Sequence, residues 1–164
     1  MGNDLFLFLL HMFKQHLTKE QAHQKAKHYC AYQERCHSEV KEKLYGFGLH
    51  KKEVEELLSD LIEEDYLNEE RFAIQFAGGR FRMKQWGRVK IKYELKQKQV
   101  GEYNIKKAIK AIDEKEYKAT LYKLFEQKMK QLSAEKNQFT KKRKLQDYLL
   151  QKGFELPLIV ELFN

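Results

Sequence analysis

Apolar residues fall on one skeleton three times along the chain. Val40, Leu44, Leu49, Val54, Leu57 and Leu58 form the first copy; Ile91, Leu95, Val100, Ile105, Ala108 and Ile109 the second; Leu145, Leu149, Phe154, Ile159, Leu162 and Phe163 the third. Each copy keeps internal offsets of 4, 5, 5, 3 and 1, and the copies start 51 and 54 residues apart (91 − 40 and 145 − 91). An i, i+4 pair marks one amphipathic helix, a five-residue step spans a turn, and an i, i+3, i+4 triplet marks the next helix. Every copy therefore predicts a helical hairpin. Glycine precedes the turn's hydrophobic residue in two copies, Gly48 before Leu49 and Gly153 before Phe154, where a helix-ending residue adopts the left-handed conformation. Gln99 takes that place in the middle copy and predicts a differently capped or looser helix end.

A further amphipathic helix precedes each hairpin. It is read from Ala22, Ala26, Tyr29 and Cys30 in the first case, from Phe72, Phe76 and Met83 in the second, and from Tyr117, Leu121, Leu124, Phe125 and Leu132 in the third. The expected fold is all-α: tandem three-helix modules over 20–66, 67–112 and 113–164, behind an N-terminal extension over 1–19 with room for one more helix. Three such repeats, each touching its neighbours, predict an elongated, curved array. The polar run "SAEKNQFTKK" (133–142) reads as a loop inside the third module, and "DYLNEERF" as a helix start capped by Asn68. One proline and eight glycines leave too few turn residues for an all-β alternative.

Charge then narrows the partner. Lys and Arg number 32 against 24 Asp and Glu, a formal net charge of +8 with a pI near 9.3, a balance suited to a polyanion or an acidic protein surface. It is unevenly spread: residues 51–71 hold nine acids against three bases, and residues 80–110 eleven bases against two acids. The bases Arg80, Arg82, Lys84, Arg88, Lys92 and Lys96 surround Trp86, and arginine beside an aromatic ring can grip phosphates or stack on bases. These seven residues are the candidate contact surface; the rival account is a solvated helix face. Lying off the apolar stripe, Arg80, Arg82, Arg88 and Lys92 are expected to serve contact rather than folding.

Other chemistries find little support. Gly78 and Gly79 lack the strand and the G-x-x-x-x-G-K-[ST] run of a phosphate loop, and are expected to let their helix pack closely or bend. Cys30 and Cys36, six apart, form neither a disulfide framework nor a usual zinc pattern. No histidine stands beside a nucleophile motif, so neither an enzyme nor a cofactor is expected. No apolar run reaches the roughly 18 residues of a membrane span, and no secretory signal opens the chain, so the expected location is cytoplasmic.

The run "EEDYLNEERFAIQF" followed by "WGRVKIKYELKQKQV" resembles the RecX regulatory family. Leu67, Asn68, Glu69, Glu70, Arg71, Phe72 and Ala73 match one family segment, and Gly87, Ile91, Glu94 and Leu95 a second. Asn68 and Gln99 depart from the family pattern, as do Gly78 and Gly79. The resemblance implies a non-enzymatic modulator seated in the groove of the RecA filament on DNA, where it restrains ATP hydrolysis and strand exchange. It implies the RecA filament as partner, weak and non-specific contact with single- or double-stranded DNA, no membrane, and a monomer. The basic middle would meet DNA phosphates or acidic filament surface, and the acidic 51–71 segment basic filament residues. Two other classes stay open on the residues alone: an autonomous helix-turn-helix DNA-binding protein, and a helical-repeat scaffold with no nucleic-acid role.

Overall fold

In a computed structural model, which describes residues 16–164, every regular element is an α-helix. The extension expected over 1–19 lies mostly outside the described residues. The helices are α1 (Lys19–Tyr32), α2 (His37–Gly46), α3 (Lys51–Glu63), α4 (Glu69–Lys84), α5 (Arg88–Gln97), α6 (Glu102–Lys110), α7 (Glu114–Gln131), α8 (Gln138–Lys152) and α9 (Leu156–Glu161). The chain divides into two compact units between Phe72 and Ala73, within α4.

The threefold skeleton is the core. Its first four positions are buried in every copy, the fifth in the first two copies, and the sixth is half-buried in all three. In the first unit Val40, Leu44, Leu49, Val54, Leu57, Leu61 and Leu67 cluster with Ala22, Ala26 and Cys30 of α1, whose small side chains let that helix approach closely. Burial pushes the Cys30 thiol up to about 11, so it stays protonated and packs as a small hydrophobe. Helix starts are capped as their sequences suggest: Thr18 accepts from the Gln21 N–H at 3.2 Å, and Asn68 from the Arg71 N–H at 2.9 Å. Arg71 itself reaches back to Glu34 and holds the Asp65 carboxylate at 3.0 and 3.1 Å. In the segment resembling RecX, then, Leu67, Phe72 and Ala73 are core, Asn68 is a cap and Arg71 is a brace.

The second unit contains the second and third hairpins with the helices before them. Here four expectations change. Met83 is 86% exposed; the inward face of α4 is Phe72, Ala73, Ala77 and Phe81, and its alanines gave a weaker apolar signal than the methionine. Gly78 and Gly79 lie inside an unbroken helix, and neither meets neighbouring backbone. A Cβ on Gly79 would find open space, and one on Gly78 only the end of the Arg82 side chain, so no close packing requires either glycine. The third loop is shorter than expected, because Asn137 accepts from the Thr140 N–H at 3.0 Å and starts α8 at Gln138; residues 138–142 are the first residues of that helix.

The fourth change is at Gln99, where the helix end is not loose. Its φ is +60°, in the left-handed region with Gly48 (+84°) and Gly153 (+92°). Its N–H donates to the Lys96 carbonyl at 2.9 Å and the Val100 N–H to the Leu95 carbonyl at 3.1 Å. Gly153 and Phe154 repeat the pattern on Leu150 and Leu149. A side chain in that conformation costs about 1 kcal/mol relative to glycine. The variant Gln99→Gly is therefore expected to raise the thermal midpoint by about 2–4 °C, measured by circular dichroism.

Candidate nucleic-acid interface

The basic cluster is built where α4 ends. Gln85 takes a left-handed φ of +54°, its N–H donating to Phe81 and that of Trp86 to the Arg80 carbonyl. This folds the indole back along the helix it follows. The Arg80 guanidinium then lies 5.3 Å from the indole centre, the Lys84 ammonium 5.4 Å and the Lys90 ammonium 4.6 Å. Arg80 also lies over Phe76 at 4.9 Å. Lys152, far away in sequence, donates its ammonium to the Lys84 carbonyl at 3.2 Å. None of Arg80, Arg82, Lys84 and Lys90 has a carboxylate partner among the described residues.

The geometry gives Trp86 a definite task. Three cations surround its half-buried ring, each attracted by the electron-rich face. The indole holds like charges together that would otherwise repel. Such a set of unneutralised cations releases counterions when it meets a polyanion. Lys90 and Lys152 were not singled out in the sequence: Lys90 lies off the i, i+4 series of the other lysines, and no local spacing points to Lys152.

The remaining candidates part company. Arg88 is only 16% exposed. Its guanidinium sits 3.9 Å from the centre of the Tyr117 ring, pairs with Glu114 and lies 3.7 Å from Glu155; it is a structural residue of the second unit, contrary to the expectation that it is free for contact. The ion pair holds the Glu114 carboxyl below the usual carboxylate range. Lys96 pairs with Glu102 at 3.5 Å. Lys92 is exposed and lies along a groove between α5 and α6.

The acidic 51–71 segment is also largely engaged at home. Glu56 binds Lys19 at 2.6 Å, Glu64 binds Lys27, Asp65 binds Arg71, and Glu53 accepts the His50 N–H at 2.9 Å. Among the described residues no group of three or more His, Cys, Asp or Glu side chains is placed to hold a metal. No described helix is long and apolar enough to cross a membrane.

Two family profiles match this chain: "RecX, second three-helix domain" over residues 68–109, and "RecX, third three-helix domain" over residues 115–163. It is 32% identical over 131 residues to the regulatory protein RecX of Chlorobium limicola, spanning 77% of this chain and 79% of that one. Against the RecX of Thermotoga maritima the identity is 32% over 134 residues, 81% of this chain and 76% of the relative. The RecX of Bacillus cytotoxicus is 28% identical over 141 residues, 85% of this chain but only 52% of that protein's length. The fold is similar to the crystal structure of RecX from Lactobacillus salivarius, with a TM-score of 0.81 at 23% identity over 88% of this chain and 94% of that one. With more than half its length matched by the two domain profiles and with relatives above 30% identity, this chain belongs to the RecX family.

Proposed function

We propose that this chain is a non-enzymatic regulator that binds the RecA recombinase filament on DNA and restrains its ATP hydrolysis and strand exchange, acting as a cytoplasmic monomer. The reading rests on family membership. The observation that gives it a surface is the unpaired cation set of Arg80, Lys84 and Lys90 around Trp86, with the exposed Arg82 on the same helix as Arg80 and Lys84. Such a set suits phosphate or an acidic protein face, and it carries no base-reading pattern. DNA binding by the protein alone is then weak, independent of sequence and steeply salt-dependent. Trp86 is the sole tryptophan, so its fluorescence reports that binding without a label.

The test is a combined variant, Arg80→Ala, Arg82→Ala, Lys84→Ala and Lys90→Ala, followed by thermal midpoint and by slowing of RecA's DNA-dependent ATP hydrolysis. The midpoint should stay within a few degrees, because none of the four is buried, while the slowing of ATP hydrolysis drops at least about tenfold in potency. Undiminished regulation by the folded variant would make the patch a solvated face. Tight, sequence-selective DNA binding without RecA at about physiological salt would favour a helix-turn-helix DNA-binding protein instead.

A further inference from the structure

Lys92 and Arg88 of α5 line a groove together with Lys106, Ile109 and Lys110 of α6 and with Ile112, Asp113 and Glu114, which follow α6. All three lysines are exposed, and none has an acidic partner among the described residues. Lys106 and Lys110, at i, i+4, present both charges on one side of α6. The aliphatic part of the lining is Ile109, which is half-buried, and the edge of Ile112, which is buried at 7% exposure. Both acids in the lining already have partners. Asp113 accepts the Glu116 N–H at 2.9 Å and starts α7, and Glu114 is paired with Arg88 and lies 3.9 Å from Lys118. The groove, about 470 Å³ in all, is positive on balance, because Arg88 and Glu114 pair with each other and three lysines face the single carboxylate of Asp113; its size suits a few side chains.

We infer that this groove docks an acidic peptide segment carrying an aliphatic side chain between its carboxylates. The carboxylates would meet Lys92, Lys106 and Lys110, and the aliphatic group would cover Ile109 and Ile112. A nucleic-acid strand fits less well. The residues lining the groove include no aromatic ring on which a base could stack, and its aliphatic positions prefer hydrocarbon to a phosphate backbone. This goes beyond the regulatory reading above and does not depend on RecA, because the probe is a synthetic peptide and the protein is used alone.

The experiment measures fluorescence anisotropy of a labelled peptide in which Asp and Glu alternate with Leu, at low salt, beside its Asn/Gln counterpart. Wild-type protein should bind the acidic peptide and not the neutral one, and binding should fade as salt is added. The combined variant Lys92→Glu, Lys106→Glu and Lys110→Glu should weaken it at least about tenfold, and by a larger factor than it weakens single-stranded DNA binding read through the Trp86 signal. A milder set, Lys92→Gln, Lys106→Gln and Lys110→Gln, serves should charge reversal lower the thermal midpoint. No binding by the wild type, equal binding by the neutral peptide, or unchanged binding by a folded variant would overturn the inference. So would a variant that loses DNA while keeping the peptide, which would assign the groove to nucleic acid.

Discussion

Replacing Gly87 with alanine is expected to destabilise the second unit by about 3 kcal/mol or more, although glycine-to-alanine is the smallest substitution available there. The backbone of Gly87 is ordinary, with φ −75° and ψ 166°; the obstacle is space. An added Cβ would stand 2.2 Å from the carbonyl carbon and oxygen of Gly153 and 2.4 Å from the amide nitrogen of Phe154. These are backbone atoms that cannot rotate away. Two main-chain hydrogen bonds run through the same contact, Gly87 N–H to the Lys152 carbonyl at 2.8 Å and Val89 N–H to the Gly153 carbonyl at 2.9 Å. Separating the backbones enough to admit a methyl group forfeits both, at about 1 kcal/mol each, besides the overpacking itself. A urea titration should show a midpoint well below wild type. The control is Gly79→Ala, inside α4 with open space around it, which should be neutral or stabilising by up to about 1 kcal/mol.

Tyr117→Ala should cost a similar or larger amount, about 3–5 kcal/mol. The ring is fully buried between Phe81 and Phe154, with centroids 5.7 and 5.1 Å away. Its hydroxyl donates to Glu155 at 2.6 Å and accepts the Arg88 N–H at 2.9 Å, so truncation orphans two polar groups as well as opening a cavity. Tyr117→Phe separates the two effects and should lose about 1–3 kcal/mol through the hydroxyl alone. Burial, and then the bond to Glu155, push this hydroxyl's pKa far above that of a free tyrosine. A raised pKa contributes stability that is complete below the unfolded value, about 10, and is lost as pH climbs beyond it. Wild-type protein should therefore weaken above about pH 10 by a share that Tyr117→Phe does not lose, read as the difference between their denaturant midpoints at neutral and alkaline pH.

How much of this was legible in advance follows from the range of the interactions. The core of each hairpin could be read because helix packing is periodic over a few residues, and eighteen apolar positions repeat one spacing. Gln99 is instructive: its register with Gly48 and Gly153 marked the place of a left-handed residue, while its chemistry argued against the conformation it adopts. Alignment with the repeat outweighed intrinsic preference. Arg88 shows where reading fails. Its i, i+4 relation to Lys92 and Lys96 suggested one basic face, but its partners Glu114, Tyr117 and Glu155 stand 26 to 67 positions away (114 − 88 and 155 − 88), and no local pattern announces them. The cations around Trp86 fall between these cases: Arg80 and Lys84 were visible within one helix, whereas Lys90 depends on how the chain turns at Gln85 and Gly87.

The contact between Gly87 and Gly153 also bears on the order in which the second unit assembles. Each helical hairpin closes through residues a few positions apart, for which little chain entropy is surrendered. The backbone bonds at Gly87 and Val89 join residues 65 and 64 positions apart (152 − 87 and 153 − 89), so closing them requires helices already formed on both sides. They belong late on the folding route, on the native side of the barrier. Interactions made there barely alter the rate of folding and act almost wholly on the rate of escape. The two glycines thus set how long the second unit, once folded, stays so.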